Sequence, residues 1–431
     1  MTEHTVLRAA AMLTPAGVVT DAEIAWDADG WITYAGPART DSVPDRVLAE
    51  QLLMPGLTNG HTHSAMTLMR GISDDDGFMP WLEAVQAAEQ QLTPEDIAAG
   101  LDLALVEMIE TGTTAFADLY TWDAALIERV RASGMRVFAS LAATAFDQAP
   151  FPMVSPQTGR EILAATVALA TQYGADPQVR IGFGPHAPYS CTPEFLREVR
   201  DLAVQHGVPV HTHIAESVAE VETIRAEYDA TPVEFLAGLG FFDADVHAAH
   251  CVQLAVGEPA ALAAAGVSVS HNPVSNLKLG CGIAPFADLI AAGVELALGT
   301  DSVASNNSLD LFEEIKLAAL LARREPGQTV TAAQALHAAT AGGSAAIGFP
   351  DAGALEVGKH ADLIAIDLGA TAAAPIAASG ATAFLGYGAT GADVREVWVA
   401  GRHLYTNGKH LTLNKREVLE RARLARERLI G

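Results

Sequence analysis

The sequence predicts an α/β fold, a (β/α)8 TIM-like barrel joined to a small β-sandwich domain built from both chain termini. Two observations of the middle of the chain support the barrel. Short apolar segments of strand length alternate with amphipathic helical segments, which is typical of buried parallel strands covered by helices. Eight such strands favour a closed barrel over an open sheet. The predicted strands are residues 52–57, 113–119, 136–141, 179–183, 208–213, 246–250, 267–271 and 295–298.

Both ends of the chain, unlike the middle, are rich in short predicted strands. Short strands at 23–26 and 31–34 flank the turn sequence DADG, and similar strands at 362–366 and 394–399 follow near the C-terminus. We therefore predict two domains. The β-sandwich domain is discontinuous and comprises residues 1–55 plus 350–431, and the catalytic barrel comprises residues 56–349.

Capping sequences mark where some of the helices begin. Thr93 and Thr192 each precede a proline and a glutamate, which places a capping side chain before a proline in the first helical turn. Gly207 is expected to end the second of these helices. The alanine-rich segment 329–347 predicts one continuous helix.

Composition narrows the class of protein. The chain has 431 residues, 50% of them hydrophobic, and a net charge of −26. Such an acidic surface repels nucleic-acid phosphates and anionic lipids, so neither is expected as a partner. The three cysteines form no Cys-x-x-Cys pair and are too few for a disulfide framework. We expect no signal peptide and no transmembrane helix. These features predict a cytoplasmic globular protein, and they leave a homo-oligomeric state open.

The most informative motif is a pair of histidines, His61 and His63, at the end of the first apolar run. Residues two apart on an extended segment point the same way, so both can bind one metal ion. His213, His250 and Asp301 stand at the C-terminal ends of other predicted strands, where barrel active sites lie. The sequence therefore predicts one metal centre assembled from strand-end side chains.

Two positions leave alternatives open. His211 shares a strand face with His213 and is a rival ligand, although His213 is nearer the strand end. His250 is either a ligand or a neighbour that orients the attacking hydroxide. Histidine and carboxylate ligands suit zinc, and also iron or manganese.

A carboxylate beside the metal centre is a candidate for acid–base chemistry. Glu216 lies three residues after His213, just past the strand end, so it can reach the centre without being a ligand. A catalytic metal lowers the pKa of water from about 15.7 to about 7. The hydroxide then needs a general acid or base beside it. We find no dinucleotide-binding, phosphate-loop or Gly-x-Ser-x-Gly motif in the sequence.

These motifs together resemble those of the amidohydrolase superfamily. The similarity is greatest to its branch of methylthioadenosine/S-adenosylhomocysteine deaminases and triazine hydrolases. It covers nearly the whole chain and implies the same barrel and β-sandwich. The segments that carry it are PGLTNGHTH at 55–63, HTHIAE at 211–216, AHCV at 249–252, SHNPVSNLKL at 270–279, LGTDS at 298–302 with SNN at 305–307, and GALEVGKHADL at 353–363.

The resemblance implies one divalent metal ion held by His61, His63, His213 and Asp301. Zn²⁺ is the first expectation and Fe²⁺ the alternative. His186 stands after the fourth strand, where a lysine that could be carbamylated to bridge two metals is missing. A mononuclear site is therefore expected.

The resemblance also implies how three residues act in a hydrolytic deamination. Asp301 accepts the proton of the attacking water. Glu216 protonates the ring nitrogen next to the attacked carbon and helps ammonia leave. His250 hydrogen-bonds the attacking oxygen.

Four further residues are implied as substrate contacts. Glu89 and His186 match residues that bind the ribose of nucleosides, and Arg160 matches an arginine that reaches an amino-acid carboxylate on the substrate. Trp81 is a candidate for the pocket wall. Alanines precede Glu89 where the family often has proline, and Ser302 stands where glycine is frequent in adenosine-type members.

The predicted function is therefore the metal-dependent deamination of an adenosine-like nucleoside to the inosine-type product and ammonia. S-adenosylhomocysteine, 5′-methylthioadenosine, adenosine and 5′-deoxyadenosine are the expected substrates. The alternative is an aminohydrolase or chlorohydrolase of another nitrogen heterocycle, such as a triazine, guanine or an aminofutalosine-type compound. A third hypothesis is a metal-binding protein without catalytic activity.

Overall fold

The predicted barrel is confirmed. The computed structural model describes residues 4–323, 329–373 and 380–430. Eight parallel strands, β5 to β12, pair in sequence order, and the barrel closes where Leu298 of the last strand faces Asn59 of the first. These strands are Leu57–Thr62, Thr113–Tyr120, Arg136–Ala143, Val179–Pro185, Val210–Ile214, Val246–His250, Ser268–His271 and Leu296–Leu298.

The first barrel strand begins later than predicted. The apolar run 52–57 was expected to form it, but Arg46–Pro55 is a strand of the other sheet and the barrel strand β5 is Leu57–Thr62. The hydrophobic run gives no sign of the change because both strands are buried. Gly56 lies between them, where a Cβ atom would stand 2.3 Å from Thr114. The chain therefore passes from one sheet to the other at a residue with no room for a side chain.

The predicted sheet from both chain termini is also present. Eight strands form one mixed sheet in the order β16-β15-β14-β13-β4-β1-β2-β3, and the pair β1–β4 is its parallel pair. Residues of six of these strands bury one another, with the rings of Trp26 and Trp398 6.4 Å apart. The exact domain boundaries stay a prediction. The strands are Thr5–Thr14, Gly17–Trp26, Ile32–Pro37, Arg46–Pro55, Leu363–Asp367, Val394–Val399, Arg402–Thr406 and Lys409–His410.

Helices cover the outside of the barrel strands. The described α-helices, α1 to α15, are Phe78–Glu89, Pro94–Glu110, Ala124–Ser133, Gly159–Tyr173, Pro193–His206, Val218–Tyr228, Pro232–Gly238, Glu258–Ala264, Pro273–Lys278, Phe286–Ala292, Leu311–Leu321, Ala332–Ala338, Ala341–Ala346, Ala381–Tyr387 and Lys415–Ile430. None of these helices is long and apolar enough to cross a membrane.

The predicted helix caps are confirmed, whereas the single alanine-rich helix is wrong. Thr93 forms a capping box with Asp96, Thr192 accepts a hydrogen bond from the Phe195 amide, and Gly207 ends α5 with a φ of 62°. The alanine-rich segment instead breaks into α12 and α13 at Thr340, whose φ and ψ are −132° and −103°. The break lets α13 pack its glycines against the barrel, with Gly343 beside Thr58 of β5 and Gly342 beside Leu296 of β12.

The three cysteines are free and buried within the fold. This agrees with the expectation that no disulfide framework exists.

Candidate metal centre and substrate pocket

Five side chains predicted from the sequence converge at the C-terminal end of the barrel. His61 and His63 lie at the end of β5, His213 in β9 and His250 at the end of β10, and Asp301 follows β12. Their potential ligand atoms form two overlapping groups, each within 4.8 Å, that share His61. Because parallel strands of a barrel end on one side, residues far apart in sequence meet there.

The spacing of these atoms fits a tetrahedral cation. Four ligands about 2.1 Å from one zinc ion lie about 3.4 Å from one another. The Nε2 atoms of His61 and His63 are 3.5 and 3.3 Å from the same Asp301 oxygen. The Nε2 atoms of His213 and His63 are 3.4 Å apart. His61, His63, His213 and Asp301 therefore form a set of the size that one metal ion needs.

Each of these histidines is held by its other ring nitrogen. The Nδ1 atoms of His63 and His213 each lie 2.6 Å from a backbone oxygen, of Leu119 and His186 respectively. The Nδ1 of His61 lies 2.9 Å from the Nε2 of His211. Such contacts to the nitrogen that faces away from the metal fix the ring orientation and the tautomer of a metal-binding histidine. His211, the rival ligand, thus lies deeper in the barrel and contacts His61 instead of the centre.

One atom of the centre lacks a partner among the described residues. The buried Nε2 of His61 has no hydrogen bond, and burial lowers the pKa of His61 to about 3. Burial likewise holds the pKa of His213 well below its usual value. Neutral imidazoles are the form that binds a metal ion. The unpartnered nitrogen and this donor set therefore fit a divalent cation.

Asp301 is held in place by three donors. The Ser275 and Ser305 hydroxyls donate to Oδ2 at 2.6 and 3.1 Å, and the Ser302 amide donates to Oδ1 at 2.7 Å. Burial alone would raise the pKa of this carboxyl, but the contact with His61 and the other histidines hold it well below its ordinary value. Asp301 is therefore an oriented carboxylate at neutral pH.

Glu216 lies beside the centre with a different environment. Burial raises the pKa of Glu216, and its Oε1 is 3.8 Å from the Nε2 of His250. Its position is set by Glu220, whose carboxylate accepts the backbone amides of Ala215 and Glu216 at 2.8 Å. Two carboxylates whose environments move their pKa values in opposite directions can divide base and acid roles between them.

His250 is buried between carboxylates. Its Nδ1 lies 2.9 Å from the Asn276 side chain. Burial would lower the pKa of His250, but Glu216 and Asp301 raise it. This favours an imidazole that donates a hydrogen bond at the centre.

Backbone strain concentrates at the same place. Ala215, His250, Cys251 and Asp301 have φ values of 51°, 76°, 49° and 60°. Such left-handed conformations are uncommon for residues other than glycine and cluster at functional sites.

A cavity of about 600 Å³ opens beside His63, which is large enough for a small-molecule ligand. Glu89, His186 and Trp81 all line it. The Tyr120 hydroxyl donates to Glu89 at 2.7 Å, and burial raises the pKa of Glu89. The Trp81 indole donates to the Ala304 carbonyl at 3.0 Å, which anchors that wall.

Arg160 does not line this cavity in the structure. Its side chain is 63% exposed, and its Nε lies 3.3 Å from an oxygen of Asp147. Its contact with a substrate carboxylate stays a prediction without support from this arrangement.

Four residues of the site were given no role from the sequence. Tyr120 binds Glu89, Ser275 and Ser305 bind Asp301, and Asn276 binds His250. Three of them lie in or beside the motifs SHNPVSNLKL and LGTDS, and Tyr120 ends the barrel strand β6. For Tyr120, the position at the end of a strand was the signal in the sequence that could have marked it as a site residue.

Comparisons with known proteins show the family to which the chain belongs. The amidohydrolase family matches residues 52–404. A 5′-deoxyadenosine deaminase of Methanosarcina acetivorans is 40% identical over 407 residues, with 94% of this chain and 92% of that protein covered. A 5-methylthioadenosine/S-adenosylhomocysteine deaminase of Pelotomaculum thermopropionicum is 39% identical over 430 residues, with 97% and 96% covered.

A solved structure extends the similarity to the fold. An adenosine deaminase from Xanthomonas campestris with bound zinc has a TM-score of 0.91 at 35% identity, and 99% of this chain and 98% of that one are covered.

The barrel with a histidine–carboxylate centre at its C-terminal end defines a class of metal-dependent hydrolases. The chain belongs to the amidohydrolase family. The predicted membership is confirmed, and so is the predicted enzyme class, a hydrolase acting on carbon–nitrogen bonds.

Proposed function

We propose that this chain is a zinc-dependent deaminase of adenosine-like nucleosides, which releases ammonia and the inosine-type product. One observation carries the proposal: a nucleoside-sized cavity that holds a partly buried carboxylate, Glu89, is also lined by His63 of the metal centre. The relatives named as deaminases of 5′-deoxyadenosine and of methylthioadenosine support this substrate class.

The proposed metal ligands are His61, His63, His213 and Asp301. Zinc is favoured because the adenosine deaminase of similar structure binds zinc and because histidine and carboxylate donors suit zinc. When bound, the metal makes hydroxide available at neutral pH by lowering the pKa of water.

The protein residues then move protons and orient the reacting atoms. Asp301, oriented by Ser275 and Ser305, accepts the proton of the attacking water. Glu216, whose pKa is raised by burial, donates a proton to the ring nitrogen next to the attacked carbon. His250 donates a hydrogen bond to the attacking oxygen. The new carbon–oxygen bond replaces the carbon–nitrogen bond. The proton held by Asp301 passes to the amine, which leaves as ammonia, and the second proton of the attacking water returns to Glu216 as the carbonyl forms.

Glu89 and His186 are proposed to bind the ribose. Glu89 is fixed by the Tyr120 hydroxyl, and the Nδ1 of His186 lies 2.8 Å from the Ser190 hydroxyl. A buried carboxylate with unused acceptor positions suits vicinal hydroxyl groups, because charge-assisted hydrogen bonds are the strong ones. Trp81 closes the wall of the same cavity.

The test is a substrate screen with zinc-loaded protein. Ammonia release is measured for a panel of adenosine nucleosides, guanine, pterins and triazines. We expect turnover with adenosine nucleosides and a loss of zinc and activity together on treatment with a chelator. Activity confined to guanine or triazines would overturn the nucleoside assignment, because those compounds carry no ribose for Glu89 and His186.

A further inference from the structure

The cavity beside the metal centre lacks cationic side chains. Apart from two tyrosines, the ionisable groups that line it are His63, Glu89 and His186, and no lysine or arginine among the described residues does so. A substrate carboxylate that entered this cavity away from the metal centre would therefore meet an acidic group and no lysine or arginine of the lining.

Arg160, the one arginine that the sequence offered for such a carboxylate, is engaged elsewhere. Its guanidinium lies 4.2 Å from the centre of the Phe146 ring and forms an ion pair with the exposed Asp147. The backbone amide of Arg160 donates to the Phe146 carbonyl at 3.1 Å, and that of Gly159 donates to the Gln148 carbonyl at 3.0 Å. These contacts hold the start of α4 against the preceding segment, with the Arg160 side chain at the surface.

The wall beyond the ribose site is apolar. The Tyr120 ring lies 6.1 Å from the His63 ring and 4.7 Å from the Phe151 ring, and its hydroxyl binds Glu89. A nucleoside with its base at the centre and its ribose at Glu89 would thus direct its 5′ substituent past Tyr120. The lining there is Gln148, which is uncharged, and the apolar residues Ala149, Pro150 and Phe151.

We propose that the enzyme selects nucleosides whose 5′ substituent is small and uncharged, such as a methyl or methylthio group, and discriminates against one that ends in an amino acid. The inference rests on the proposed deaminase function. The bond that is broken is the same in all these nucleosides, so the discrimination lies in binding the 5′ substituent. A carboxylate that loses water against an apolar wall without a cation is unfavourable, whereas a methyl group gains from burial there.

The experiment compares kcat/KM of the zinc-loaded enzyme for 5′-deoxyadenosine, 5′-methylthioadenosine and S-adenosylhomocysteine. We expect the value for S-adenosylhomocysteine to be about tenfold or more below that for 5′-methylthioadenosine. In Arg160→Ala the ratio of these two values should stay within about twofold of that of the unmodified enzyme. Ala149→Arg places a cation at the apolar wall. In this variant kcat/KM for S-adenosylhomocysteine should rise relative to that for 5′-methylthioadenosine.

Two results would overturn the inference. One is a difference between the two thioether nucleosides of less than tenfold. The other is a further fall in Arg160→Ala of kcat/KM for S-adenosylhomocysteine relative to that for 5′-methylthioadenosine, because that would show that the guanidinium contacts the substrate. Failure of the proposed function looks different: none of the three nucleosides would release ammonia, although the protein holds zinc.

Discussion

The two ends of the barrel differ in how their buried ionisable side chains are paired. At the N-terminal end, Arg136 begins β7 and donates to both oxygens of Asp362, at 2.7 and 3.0 Å. The two side chains are 2% and 1% exposed, and Arg136 also donates to the Pro177 carbonyl. At the C-terminal end, the buried Nε2 of His61 has no hydrogen-bond partner in the part of the chain that the structure describes, and Glu216 stays close to His250 without a hydrogen bond to it.

This difference indicates that the N-terminal end of the barrel contributes to stability and the C-terminal end to catalysis. Arg136 and Asp362 join the barrel to the mixed sheet, and the hydrogen bonds between them favour a fixed arrangement. The C-terminal end instead carries strained backbone at Ala215, His250 and Asp301 together with unpaired polar atoms. Unsatisfied buried groups are unfavourable unless a ligand completes them. The comparison predicts that substitutions at one end change activity or metal binding, and substitutions at the other change folding.

The largest effect is expected for Glu216→Gln. The amide cannot supply the proton for the ring nitrogen, so kcat for an adenosine nucleoside should fall about a thousandfold. Zinc content and thermal stability should stay close to those of the unmodified protein. Glu222→Gln, on the exposed face of the same helix α6, is the control and should keep full activity. Retained turnover in Glu216→Gln would exclude this glutamate as the proton donor.

At the opposite end, Arg136→Met leaves Asp362 buried without its cation. The free energy of unfolding should fall by about 3 kcal/mol or more, measured by urea denaturation, while kcat and zinc content of the folded enzyme stay the same. Arg180→Met is the matched control on the next strand. It breaks an ion pair with the exposed Asp245, and such a pair contributes about 1 kcal/mol or less. Equal losses in the two variants would refute the contrast between the ends.

A third effect concerns the residue behind the metal ligand. His211→Leu removes the partner of the His61 Nδ1, so zinc affinity should fall about 10- to 100-fold, measured by competition with a chelator. His211→Gln keeps an acceptor for that nitrogen and should restore most of the affinity. A leucine variant that binds zinc as tightly as the unmodified protein would show that the contact does not orient His61.

The smallest expected effect is a loss of stability at low pH, caused by a carboxylate in the mixed sheet. Burial alone would raise the pKa of Glu23, but hydrogen bonds from Ser42, Arg8 and Arg39 lower it to about 2. A carboxylate with a lowered pKa in the folded state stabilises the protein above its ordinary pKa of 4.5. That contribution is lost as the pH falls from 4.5 toward 2.

Glu23→Gln should remove this part of the acid dependence, on the order of 1 kcal/mol after solvent screening of the exposed arginines. Denaturation curves recorded at a series of pH values from pH 5 down to pH 2.5 measure it. Asp27→Asn, in the turn after β2, is the control. An unchanged pH dependence in Glu23→Gln would contradict the assignment.

The barrel and its candidate ligands were accessible from the sequence for a simple reason. Buried parallel strands are continuous apolar runs, and a polar residue directly after such a run has to lie at the strand end. His61, His63, His213, His250 and Asp301 all satisfy that condition and do meet in the structure. The cap residues Thr93 and Thr192 were equally accessible because a cap contacts only its own first turn.

Features that depend on distant neighbours were not accessible. The run 52–57 is apolar throughout, so nothing local reveals that the chain changes sheets at Gly56. The alanine-rich segment has the composition of a helix, but its break at Thr340 serves the packing of α13 on the barrel.

The sequence by itself thus determined the repeat of strands and helices, the end of the barrel that carries the chemistry, and the residues able to bind a metal. Only the tertiary structure decided which histidine faces the centre and which stands behind it, that Tyr120 holds Glu89, and that Arg160 lies outside the cavity. Periodicity and capping act over a few neighbouring residues, whereas these contacts join side chains more than ten positions apart and exist once the barrel has closed.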